Sequence, residues 1–169
     1  MSITRNIRML TRYNAWANQV LFAALAKLPE DAVMAPRPAV FGNMANTLQH
    51  AQVVDVIWKA HLEGVPHGMR SRVPQQDMLL TALAAAQTAL DQWYIAYADQ
   101  LTPAAHDELL SFEFVDGGHG QMTRGDMLLH VVNHKTYHRG VVADMICQCG
   151  VRPPVMDLPV FLRDIPSQL

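Results

Sequence analysis

The chain has 169 residues, half of them apolar, which is enough for a sizeable core and predicts a single domain over 1–169. Thirteen basic side chains against fifteen acidic ones leave a net charge of -2, so the electrostatic footprint of a nucleic-acid binder is missing. No apolar run approaches the roughly 18 residues of a membrane span, and the opening MSITRNIRMLTRYN lacks an apolar signal core, so a soluble, cytoplasmic protein is expected.

From Thr4 to Leu28 apolar residues recur at helical spacing (Ile7, Leu10, Ala17, Leu21, Leu25, Leu28), and Pro29 followed by Glu-Asp stops this first helix. Ala35 to Gly42, with Pro36 and Pro38, reads as a loop. Asn43 is a suitable N-cap for a second helix that carries Met44, Leu48, Ala51, Val54, Trp58 and Leu62 on one face until Gly64 and Pro66 end it. After a connection over Val65 to Pro74, a third helix is predicted from near Pro74 to about Leu101, with Leu79, Leu83, Ala86, Leu90, Trp93 and Tyr97 along it. Between Leu109 and Met122 the period shortens, and LSFEFV followed by Asp-Gly-Gly-His-Gly predicts a short β-hairpin. A fourth helix opens with a capping-box-like Thr123-Arg-Gly-Asp126 and runs to Cys149, before Gly150 and the Pro153-Pro154 pair. The proline-rich tail is predicted as an extended strap packed by Val160, Phe161 and Leu162 in preference to a fifth helix. Four amphipathic helices that must bury their stripes on one another give an all-α four-helix bundle.

Eight histidines are present, and His130, His134 and His138 fall within nine residues. On the fourth helix Met127, Val131, Val141 and Met145 define a stripe that contains His134 and His138, so both point at the core. Their i, i+4 spacing lets two imidazoles reach one ion. His50, on the second helix beside the arc of Val54, Ile57 and His61, is a candidate third ligand if that helix neighbours the fourth. The alternative is the ordinary role of a histidine on an apolar face, a hydrogen-bonded core residue. Three neutral nitrogen ligands would suit Zn, Ni, Co or Fe(II) and leave positions for water or substrate. HKTYH lacks the glutamate of HExxH, which disfavours a zincin-like peptidase. His130 lies on the flank of the stripe and is assigned to the surroundings of the site, His61 to surroundings or packing, and His67, His106 and His119 to loops. Cys147 and Cys149 form only C-x-C, poor geometry for a disulfide and too far along the helix to share the ion, which fits a reducing compartment.

The strings LLHVVNHKTYHRG (Leu128 to Gly140), NTLQHAQVVDVIW (Asn46 to Trp58) with the following LEG, and YNAWAN (Tyr13 to Asn18) together resemble the DinB family. The resemblance touches the first, second and fourth helices in order. It implies a four-helix bundle with a divalent metal ion held by His50, His134 and His138, Zn or Ni ahead of Fe, Co or Mn. It further implies a metal-dependent enzyme of thiol-dependent transferase or hydrolase type, acting on a small molecule with a low-molecular-weight thiol as co-substrate. The competing expectation is a non-catalytic stress-response protein that binds metal or serves as a dimeric interaction module. A homodimer is expected on either view, because two-helix edges of such bundles pair.

Around the histidines, Asn14 and Asp55 interrupt apolar stripes, as interhelical hydrogen-bonding groups or as supports for a ligating imidazole. Tyr137 and Arg139 flank His138; the arginine could pair with Asp55 or bind an anionic substrate. Asp55 and Tyr13 are the residues to examine as a base, and no catalytic residue is assigned. Trp16, Trp58 and Trp93 and the ten methionines read as packing residues.

Overall fold

A computed structural model describes residues 3–74 and 76–165. The four predicted helices are present, with three short helices between and after them. In chain order the elements are α1 (Thr4–Leu25), α2 (Glu30–Met34), α3 (Met44–Glu63), α4 (Leu80–Gln100), α5 (Pro103–His106), the strands β1 (Leu109–Glu113) and β2 (His119–Thr123), α6 (Arg124–Gln148) and α7 (Leu158–Asp164). α1 packs on α4 and α6, and α3 packs on α6 and α4, which closes a four-helix bundle. The condition for a shared histidine site, that the second and fourth long helices be neighbours, is met.

Local chemistry accounts for most boundaries. The Asn43 carboxamide accepts from the Asn46 amide at 2.7 Å and starts α3, and Gly64 ends it in the left-handed region at φ +69°, which a side chain would resist. Thr123 caps α6 by accepting from the Asp126 amide at 3.0 Å, while its hydroxyl donates to the Asp126 carboxylate at 2.7 Å. The strands pair antiparallel with Leu109 opposite Thr123 and Glu113 opposite His119, so His119 opens a strand and does not lie in a loop. His106 likewise belongs to α5, where its imidazole occupies the space a side chain on Gly125 would need.

Three boundaries differ from the sequence reading. α1 stops at Leu25, and Glu30–Met34 form a separate turn of helix after Pro29. α4 starts at Leu80, well after Pro74, because the preceding segment lies across α3: the His50 ring donates to the Arg72 carbonyl at 2.7 Å and the Gln49 amide to the Gln76 carbonyl at 2.5 Å. Gln75, inside the predicted third helix, lies outside the described residues. In the tail, the residues up to Asp157 are irregular as their prolines demand, but Leu158–Asp164 is helical. Pro159 sits in its first turn, where a missing N–H costs nothing. Phe161 is fully buried there against Tyr13 and Trp16, and residues 166–169 of the predicted strap lie outside the described residues.

The apolar residues gather in two main cores along the bundle. One contains Ile7, Trp58, Tyr94, Met127 and Val131, and the other Leu21, Met44, Leu83, Val142 and Met145. Burying such side chains contributes about 1.5–3 kcal/mol each. Every long helix contributes to both cores, and between its two contributions each carries buried polar residues: Asn14 and Asn18 on α1, His50 and Gln52 on α3, Gln87 and Asp91 on α4, Lys135, His138 and Arg139 on α6. The polar groups therefore form a layer across the middle of the bundle. Val142, fully buried, continues the α6 stripe in place of the partly exposed Val141.

Candidate metal centre

His50, His134 and His138 come together in this layer, each offering a ring nitrogen within 4.8 Å of the others. The Nε2 atoms of His134 and His138 are 3.1 Å apart, close enough for both to reach one ion at the about 2.0–2.1 Å typical of zinc to imidazole nitrogen. His50 arrives from α3, and its Nδ1–H is committed to the Arg72 carbonyl, which fixes the tautomer and leaves Nε2 as its free lone pair. Phe41, from the loop before α3, stacks on the His50 ring at 4.0 Å and meets His138 edge-on at 5.6 Å. The buried Nδ1 atoms of His134 and His138 have no partner among the described residues, so ring packing, by His130 on His134 and by Tyr137 and Phe41 on His138, sets their planes.

The rings are neutral at physiological pH. Burial, followed by the influence of the neighbouring rings and of Lys135, pushes His134 down to about 3, and burial with His50 and Lys135 pushes His138 down to about 4. Burial lowers His50 as well, against the opposing effect of its bond to the Arg72 carbonyl. Neutral imidazoles with converging lone pairs are the form a metal requires, so the cluster has the donor set and spacing to hold one divalent ion.

Beside the cluster lies a cavity of about 180 Å³ between α3, α6 and the hairpin turn. His50 and His134 form part of its wall, and His61 and His130 line it too. The sequence placed His130 near the site, and it stands there, between His134 and Trp58. His61 is a wall residue of this cavity as well as packing on Trp58 and Phe112, and His67, in the connection after α3, meets it edge to face. Trp58 is both core and cavity wall.

Arg139 meets neither of its expected partners. It is 2% exposed and donates to the side chains of Asn14 at 2.5 Å, Asn18 at 2.8 Å and Thr136 at 2.9 Å, so it faces α1 and is absent from the cavity wall. Asn14 thus takes the interhelical role. Asp55 is paired with Lys135 at 2.8 Å, and no imidazole bonds to it. Neither it nor Tyr13, whose hydroxyl donates to the Met156 carbonyl at 3.0 Å, lines the cavity, which removes both as bases within it. Tyr137 is 65% exposed, and Cys147 and Cys149 stand outside the histidine cluster.

Sequence reasoning missed Lys135, only 1% exposed, and with it a second polar assembly. Lys135 also donates to Gln87 at 3.0 Å. Gln87 donates to Asp55 and Asp91, each at 3.0 Å, and Asn18 donates to both oxygens of Asp91 at 3.0 and 2.9 Å. The signal that could have found it is the recurrence of Asn, Asp, Gln and Lys at matching heights inside four otherwise apolar stripes.

Comparison with known proteins identifies the family and the fold. The sequence profile of the DinB family matches residues 1–167. Protein DinB of Bacillus subtilis (strain 168) is 27% identical over 159 residues, covering 90% of this chain and 91% of that protein. Among solved structures, a DinB-like protein from Bacillus cereus ATCC 10987 superposes with a TM-score of 0.64 at 15% identity, over 85% of this chain and 91% of the other, a likeness of fold.

Proposed function

The chain belongs to the DinB family, and from that premise we propose that it is a metal-dependent enzyme whose ion is held by His50, His134 and His138. The observation that carries the reading is the convergence of three neutral imidazoles, two of which, His50 and His134, line a cavity. A ligand set of three leaves open positions at a divalent ion, and an all-nitrogen set favours zinc or nickel over the harder ions. Such an ion supplies Lewis acidity that lowers the pKa of a bound thiol or water, and the family resemblance favours a low-molecular-weight thiol. The protein's own contributions are separate: the Arg72 carbonyl and Phe41 hold His50 in one tautomer and plane, and Val54, Ile57 and Trp58 keep the approach apolar. His61 and His130, whose rings have no hydrogen-bond partner among the described residues, stand at the cavity wall as acceptors for a released proton. On this reading residues 1–169 act as one cytoplasmic domain on a small-molecule substrate. No helix among the described residues is long and apolar enough to cross a membrane.

The test is elemental analysis of the purified protein beside His134→Ala, followed by reaction of the loaded protein with a small thiol and an alkyl halide. One equivalent of a divalent transition metal in the wild type, its loss in His134→Ala, and adduct formation only when metal is present are expected. Equal metal content in both proteins would defeat the ligand assignment, and metal without any metal-dependent chemistry would favour a structural role.

A further inference from the structure

The cavity beside the histidines has an unbalanced charge. Three neutral imidazoles contribute nothing to offset the two positive charges of a divalent ion, and no carboxylate lines the wall. Asp55, a buried acid on α3, is occupied by Lys135 at 2.8 Å. Arg72 does line the cavity, and its guanidinium has no carboxylate partner among the described residues. The rest of the wall consists of the apolar Val54, Ile57, Trp58, Phe114 and Val115 together with the rings of His61 and His130. At about 180 Å³ the space is little larger than the roughly 150 Å³ cavity that accommodates benzene, so a peptide-sized thiol does not fit inside.

We propose that this cavity binds a benzene-sized apolar molecule bearing one carboxylate, with the apolar body against Ile57 and Trp58 and the anionic end neutralised by the ion and Arg72. The proposal rests on the metal reading above and adds the substrate class: the second reactant is a small aryl or branched-alkyl carboxylate, and any bulky thiol keeps all but its sulfur arm outside. Apolar contact selects the body and the uncompensated positive charge selects the anion.

The experiment measures calorimetric binding of benzoate, acetate and benzyl alcohol to the zinc-loaded full chain, with zinc content determined on the same samples. Benzoate is expected to bind at least tenfold tighter than acetate, which shares its carboxylate, and than benzyl alcohol, which shares its ring. Arg72→Gln should weaken benzoate at least fivefold and leave benzyl alcohol unchanged at full zinc occupancy. Ile57→Trp should erase the advantage of benzoate over acetate; Val115→Trp, on the hairpin turn, makes the same test without touching a helix. Equal affinity for benzoate and acetate in the wild type, or benzoate affinity indifferent to Arg72→Gln, overturns the proposal with the metal site intact. A wild type that takes up no zinc overturns the metal reading itself.

Discussion

Two polar clusters share the middle layer of the bundle, and they are finished to different degrees. In the Lys135 cluster, the ammonium, both side-chain amides of Asn18 and Gln87 and the Asp91 carboxylate all find partners in one another. One buried atom, the second oxygen of Asp55, is left without one. In the histidine cluster the Nε2 atoms of His134 and His138 meet only each other, at 3.1 Å, and the buried Nδ1 atoms of the same two rings have no partner among the described residues. The first cluster is closed by the chain itself. The second is left open on the side of a cavity. Buried polar groups cost stability unless paired, so of the two clusters the histidine cluster is the one whose donor set could take a divalent ion.

The largest test of this contrast is removal of the closing cation. Lys135→Met leaves Asp55 buried and uncompensated, and should cost about 3–5 kcal/mol in denaturant unfolding, whereas Lys135→Met with Asp55→Leu should recover most of the loss. Equal destabilisation by the single and double variants would show that the pair is not what closes the cluster.

Acid separates the two clusters by sign. His134 and His138, held at about 3 and about 4, stay neutral in the fold while the unfolded chain takes up protons below about pH 6.5. Their contribution is intact above that pH and is lost as pH falls toward 4. Burial raises Asp91 from 3.8 to about 6, against its hydrogen bonds from Asn18 and Gln87, so its contribution is present below 3.8 and lost as pH rises to about 6. The metal-free protein should therefore melt at progressively lower temperature between pH 6.5 and 4, and Asp91→Asn should steepen that fall. The Asp91 contribution is at most about 3 kcal/mol over this window. A slope unchanged by the substitution would remove Asp91 from the account.

The smallest effect concerns how the open cluster is held in shape. Phe41→Leu removes the ring stacked on His50 and should lower metal affinity severalfold, in line with the about 0.5–1.5 kcal/mol of an aromatic pair, with unfolding of the metal-free protein almost unchanged. Competition with a chromophoric chelator reads it directly.

Local signals were legible in the sequence and partnerships across the bundle were not. The i, i+4 pair of His134 and His138, the Asn43 cap, the Gly64 stop and the hairpin each depend on a few neighbouring residues, and each stands where the pattern puts it. His50 needed only that two helices be adjacent. Lys135 escaped the reading because a basic residue on a helix is ordinarily solvated, and Arg139 was given the wrong partner, because what buries these two lies on other helices: Gln87 and Asp55 for one, Asn14 and Asn18 for the other. The late start of α4 has the same origin, since side chains of α3 hold the preceding carbonyls. The helix in the tail depends on where Pro159 falls, in the first turn, and the number of prolines alone does not reveal that position.

Residue 72 serves the centre through two independent atoms. Its main-chain oxygen, which every amino acid possesses, fixes the tautomer of His50, while the residue itself is part of the cavity lining. Any replacement that leaves the loop path unchanged keeps the first function and rewrites the second. The position is therefore one at which a substitution can change the cavity lining while the hydrogen bond that orients His50 is kept.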